Sequence, residues 1–248
     1  MLAIYKKEMR SYFINPVGYV FVGVFLAMSA ALCCYTTLQS NTYSTASYYY
    51  WLILSMIIII PLLTMRTFSE ERKMRTEQLL LTAPVSITGM VLGKYFAALA
   101  LFASTILVSC INFFPLVSYA IVEESQASDA AVHIGPVGGQ IVGCLIGMVL
   151  IGAAFIALGL FISSLTESQL SAAVITVAAI AVMLLVGLVN EFIGVAFFRT
   201  IINWISVLSR FDYFAYGFFD FSALLYYCSI SGVFLFLTVR IYEKRRWG

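Results

Sequence analysis

Six stretches of this chain are long and apolar enough to cross a bilayer, at about 17–38, 46–65, 90–122, 137–164, 168–189 and 220–241. A bilayer core needs roughly 20 apolar residues per helix. Backbone groups in lipid find no water, so each stretch must satisfy its own hydrogen bonds as a helix. The third and fourth stretches exceed that length and can tilt or extend beyond the membrane. Pro61 and Pro115 fall inside the second and third, where they predict kinks. Composition agrees, with 62% hydrophobic and 10% charged residues and a mean hydropathy of +0.99. A soluble domain holds about 25% charged residues and could not cover its surface with so few. The expected fold class is therefore all-α polytopic membrane protein.

The few charges orient the chain. Lys6, Lys7 and Arg10 precede the first span; Arg66, Arg72, Lys73, Arg75 and Lys94 lie between the second and third; Arg240, Lys244, Arg245 and Arg246 follow the sixth. Those are twelve of fourteen basic residues, and six spans put them all on one side. Glu123, Glu124 and Asp129 lie on the other. The positive-inside rule then places both termini in the cytoplasm. The first apolar run outlasts the roughly 7–15 residues of a signal-peptide core, so it reads as a retained span. A net charge of +2 suggests no nucleic-acid partner. The five cysteines lie in or beside apolar runs without metal-site spacing and read as small apolar fillers.

Residues 190–219 are apolar enough to suggest a seventh span, but they contain Glu191, Arg199, Arg210 and Asp212. Each is costly at mid-bilayer, by about 2.5–3.5 kcal/mol on insertion scales. A seventh crossing would also carry the basic C-terminus outside. The segment reads instead as short helices at the outer interface, with Phe197, Phe198, Trp204, Tyr213 and Tyr216 at headgroup depth. Asp220 reads as the N-terminal cap of the sixth span, and Thr166 with Gln169 as a capping box for the fifth. At the N-terminus, Leu2, Tyr5, Met9, Tyr12 and Phe13 follow helical spacing, with Lys6, Lys7 and Arg10 off that stripe. Such a helix should lie flat on the cytoplasmic leaflet with its cations near anionic lipid, until Asn15-Pro16 turns the chain inward.

Most of the cytoplasmic polar surface is concentrated in one loop, residues 66–89. Glu70 to Glu77 mixes acids and bases at helical spacing; Leu79-Leu80-Leu81 forms an apolar knob. Thr82-Ala83-Pro84 ends that helix, and Val85 to Thr88 starts a short new one. Charges beside leucines suggest a docking surface, although a connector packing its leucines on its own helices would look alike.

This run resembles the first cytoplasmic loop of ABC-2-type transporter permeases. The matching residues are Arg66, Glu71, Arg72, Thr76, Glu77, Leu79, Leu80, Pro84, Val85, Ser86, Gly93 and Lys94; Arg75 stands where that family has glycine. Gly159 to Ser171 resembles the family's tight turn between spans four and five. Ser206 to Trp247 resembles its last span, especially in small gliding-motility-type permeases. The resemblance implies one permease domain over 1–248, with an elbow helix at 1–15, a coupling loop at 66–89 and outer re-entrant helices within 190–219. It implies a bacterial cytoplasmic-membrane exporter subunit that docks a separate ABC ATPase through Glu70, Glu71, Arg72, Thr76, Glu77, Leu79, Leu80, Pro84, Val85 and Ser86. A second permease chain, identical or homologous, would meet this one along spans one and five, at Gly18, Gly23, Ala27, Ala172 and Ala173.

No cofactor is expected on the chain, and ATP with magnesium belongs on the partner subunit. A phosphate-cradling GxxxxGK[ST] motif is absent: Gly89 to Tyr95 is one residue short and ends in tyrosine. The only histidine, His133, lies in an outer loop, and no serine sits in a Gly-x-Ser-x-Gly setting. Catalysis by the chain itself is therefore not expected. A secondary transporter or channel would usually hold ionisable groups at mid-membrane, which spans one to five lack. A non-transporting anchor or regulator of an ATPase is the other alternative. Gly135, Gly139, Gly143 and Gly147 recur every fourth residue and predict a close helix contact, first of all within the chain.

Overall fold

The computed structural model describes residues 1–38, 45–74, 78, 86–126, 138–189 and 206–247, and every regular element in them is helical. Six helical stretches meet the length and hydropathy of a span: Pro16–Thr37, Thr45–Lys73, Ile87–Ile121, Gly138–Leu165, Gln169–Gly187 and Phe221–Arg246. These match the six runs of the sequence, with edges moved by a few residues. The elements are α1 (Leu2–Ile14), α2 (Pro16–Cys33), α3 (Thr45–Thr64), α4 (Ser69–Lys73), α5 (Ile87–Ser109), α6 (Phe113–Gln126), α7 (Gly138–Leu165), α8 (Gln169–Val189), α9 (Val207–Ala215) and α10 (Phe221–Trp247).

The core sits around α7. It packs against α3, α5, α8, α9 and α10. Every residue from Ala154 to Leu160 is buried, about two full turns. A helix apolar on all sides belongs in the centre of a bundle, and α7 is such a helix. By contrast, α8 presents Leu170, Val174, Ile175, Val182 and Leu185 outward.

Local chemistry sets the boundaries. The third span breaks at a 3₁₀ turn, Cys110–Asn112, before α6. Pro115 has no N–H for the Ile111 carbonyl, so the helix interrupts one turn ahead of it. The expected capping box at the fifth span lies two residues away from its predicted place. Thr166 bonds back to the Ile162 carbonyl at 3.1 Å, and Ser168 accepts the Ser171 N–H at 3.1 Å instead. Asp220 does cap the sixth span, accepting the Ser222 N–H at 2.9 Å.

Two members of the glycine ridge, Gly143 and Gly147, are used within the chain, whereas a Cβ at Gly139 would meet nothing within 4 Å. A Cβ at Gly143 would meet the Phe214 carbonyl oxygen at 2.8 Å, and one at Gly147 the Phe211 ring at 2.9 Å. Only glycine lets α9 approach α7 so closely. Ser206 caps the start of α9, and a Schellman motif with Gly217 at φ +80° ends it. Asp212 accepts the Tyr50 hydroxyl of α3, while Arg210 donates to Ser222 at 2.6 Å and stacks on Tyr226. The charges that make residues 206–219 a poor span are thus partnered. Gly135, Glu191, Phe197, Phe198, Arg199 and Trp204 lie outside the described residues.

Candidate functional site

At the end of the bundle that holds both termini, five elements converge on one lysine. Lys94 belongs to α5 and is only 1% exposed. A lysine is almost never buried without partners, because its ammonium has three donors to satisfy. All three are satisfied. The ammonium lies 3.2 Å from Glu8 of α1 and 2.8 Å from Glu71 of α4, and it donates to the Thr67 carbonyl at 2.8 Å. It also sits 4.9 Å above the Phe68 ring. Behind that ring, Tyr242 of α10 stacks at 5.0 Å, and Arg245 lies over Tyr242 at 5.3 Å.

Helix α1 reaches the lysine through a row that shares only Tyr12 with the stripe read from the sequence. Ile4, Glu8 and Tyr12 recur every fourth residue, and this row turns toward the bundle. Gly93, beside Lys94, leaves space for the crossing, since a Cβ there would stand 3.2 Å from Ile4 and from the Met1 carbonyl oxygen. Burial, and behind it the Glu8 charge, holds the Tyr12 hydroxyl well above the ordinary phenol range. Of the predicted stripe, Leu2 and Phe13 are exposed. Lys6, Lys7 and Arg10 face outward, as their spacing implied, with Lys7 3.7 Å from Glu71.

Helix α4 is fastened from the other side by α7. Ser163 Oγ accepts the backbone N–H groups of Phe68 and Ser69, both at 3.2 Å. Those first N–H groups have no partner within their own short helix, and Ser163 supplies one. Arg72 pairs with Glu167 at 2.6 Å and donates to the Leu165 carbonyl at 3.1 Å, in the turn after α7. Arg245 donates to the neighbouring Ser164 carbonyl at 2.7 Å. Arg66 grips Glu70 through two bonds of 2.8 and 2.6 Å. These outer pairs are partly exposed and individually worth about 0–1 kcal/mol. The Lys94 cluster is the one whose loss exposes buried charge, so it dominates.

The docking residues predicted from the sequence divide accordingly. Glu70, Glu71 and Arg72 have intramolecular partners. Ser86 is the N-cap of α5, accepting the Gly89 N–H at 3.3 Å, so Ile87 and Thr88 open span three rather than form a separate short helix. Thr76, Glu77, Leu79, Leu80, Pro84 and Val85 lie outside the described residues. Of the residues expected between two permeases, Gly18 and Ala172 are buried within the chain, Ala173 is half-buried, and Gly23 and Ala27 are exposed.

Glu8 is the residue that sequence reasoning missed. It is the only acid ahead of Glu70, and Lys94 is the only charge between Glu77 and Glu123. A lone acid at one end of an apolar chain and a lone cation within it call for partners, and that signal could have paired them, although Lys6, Lys7 and Arg10 beside Glu8 obscure it. Among the described residues, no cluster of His, Cys, Asp and Glu could hold a metal ion. The contacts around Lys94, Phe68 and Ser163 join α1, α4, α5, α7 and α10 at this end of the bundle.

Comparison with known proteins assigns the scaffold. A search of curated proteins gave no match. The family model for ABC-2 family transporter proteins matches residues 26–239, from the middle of α2 into α10. The chain is thus a multi-pass membrane transporter subunit, and it belongs to the ABC-2 transporter family.

Proposed function

We propose that this chain is the membrane-spanning subunit of an ATP-driven exporter in the bacterial cytoplasmic membrane, with both termini in the cytoplasm. Two permease chains, identical or homologous, form the pathway and dock two ABC ATPase subunits. The 66–89 loop makes that contact, with Leu79, Leu80, Pro84 and Val85 as its apolar part and Thr76 and Glu77 beside them. ATP and magnesium bind the partner, and no cofactor sits on this chain. Helix α1 is the elbow at the cytoplasmic leaflet, and α9 is an outer re-entrant element.

The observation that carries the reading is the Lys94 cluster. A loop that takes a push from an ATPase is useful only if its base is rigidly joined to the spans. Lys94 joins α4 to α5 and α1 with charges in a buried site, where electrostatic attraction is stronger than at a surface. Closure of the ATPase pair would then move α3, α4, α5 and α1 together, a rigid-body shift that alternates access. The test is affinity purification of the chain from its own membranes. A P-loop protein should co-purify, and Leu80→Glu should remove it. Recovery of that partner unchanged with Leu80→Glu would sink the docking assignment.

A further inference from the structure

The outward face of α1 carries three cations and no acid. Lys6, Lys7 and Arg10 are exposed there and, with Ser11, Ile14 and Asn15, line a groove of about 480 Å³. The one acid of the helix, Glu8, points the other way to Lys94. Just past the cations an apolar strip begins, with Phe13 49% and Ile14 69% exposed, continued by Tyr19 and Val20 of α2. A strip of that kind beside clustered positive charge matches a phosphodiester headgroup with acyl chains below it, and a free anion would leave the strip unused.

Lys7 has a second neighbour. It also lines an inner polar cleft of about 250 Å³ with Tyr12, Arg66 and Met74, where Glu71 lies 3.7 Å from its ammonium. An anion drawn to Lys7 from outside competes with Glu71, and Glu71 rests on Lys94 at 2.8 Å. Resting on the placement of α1 at the membrane surface, we infer that this groove binds the headgroup of an anionic phospholipid and that Lys7 relays its charge to the base of the coupling loop.

The purified full chain, in nanodiscs of phosphatidylcholine with increasing phosphatidylglycerol, provides the test. Amide exchange over residues 66–74 is followed against phosphatidylglycerol content. Each cation at an anionic surface strengthens binding by about five-fold. Lys6→Gln with Arg10→Gln should therefore weaken the apparent affinity by about 25-fold, while Lys6→Arg should keep it. Lys7→Gln should abolish the exchange response at 66–74. A response that persists undiminished in the double variant would place the lipid elsewhere, for instance on the basic end of α10, and overturn the site. Binding with no response at 66–74 in the wild type would overturn the relay. A Phe13→Trp reporter separates the two levels of the claim. If brominated acyl chains fail to quench it, the surface placement of α1 is wrong; quenching without any phosphatidylglycerol preference refutes the headgroup site alone.

Discussion

Replacing Lys94 with methionine removes the cation and leaves two carboxylates facing one vacated position. The Glu8 and Glu71 oxygens that touch the ammonium at 3.2 and 2.8 Å lie within about 6 Å of each other. At an effective dielectric of about 20 their repulsion reaches about 3 kcal/mol at that distance. Loss of the bond to the Thr67 carbonyl adds about 1 kcal/mol. The sum agrees with the roughly 3–5 kcal/mol seen when one partner of a buried ion pair is removed. In a chain of this size that corresponds to a fall in Tm of roughly 10 °C, read by thermal unfolding in detergent. The damage should be local first, with α1 released from α5 and trypsin cutting at Lys6, Lys7 and Arg10 well below the global transition. Adding Glu71→Gln to Lys94→Met relieves the repulsion and should recover about half of the loss. If the double variant is no more stable than Lys94→Met, or if Lys94→Met itself is neutral, electrostatic fastening of α1 to the loop is not what holds this end of the bundle.

Three further outcomes follow from other contacts. Gly147→Leu forces a branched side chain against the Phe211 ring, 2.9 Å from where a Cβ would stand; it should destabilise the chain by about 1–3 kcal/mol and loosen α9, read as faster amide exchange over 207–215. Tyr50→Phe removes the hydroxyl donor to Asp212 and should cost about 1.5–3 kcal/mol, while Tyr213→Phe, on the exposed side of α9, should be neutral in the same thermal assay. Gly23→Leu with Ala27→Leu enlarges an exposed stripe on α2 where a Cβ at Gly23 meets nothing within 4 Å. The pair should leave helicity unchanged and convert the proposed dimer to monomer in light scattering, and a dimer that persists would exclude this face as the permease contact.

Hydropathy alone located all six spans, because lipid demands a run of apolar residues whatever the fold around it. The glycine ridge of α7 was equally legible as a close helix contact, but its partner was not. Nothing in the spacing of Gly143 and Gly147 points to Phe211 and Phe214, some seventy residues on. The Lys94 cluster failed to emerge for the same reason. Glu8, Glu71 and Lys94 lie on three elements whose crossing is set by tertiary packing, and local periodicity carries no record of it. Where local chemistry competes, the error is one of register. Val85 to Thr88 looked like a separate turn because Pro84 interrupts the pattern, yet Ser86 caps α5 directly. The intramolecular partners of the loop's charges were likewise not legible. Glu70, Glu71 and Arg72 have the composition of a solvated surface, and three dimensions give them partners in Arg66, Lys94 and Glu167.

The central claim is that the 66–89 loop meets an ATPase, and a photoreactive amino acid in place of Leu80 tests it most directly. Irradiated in native membranes, position 80 should form a covalent adduct with a P-loop protein, and the same probe at Tyr216, at the opposite end of the bundle, should not. Adduct formation at Tyr216 but not at position 80, or no adduct with a nucleotide-binding subunit at either, would contradict the account.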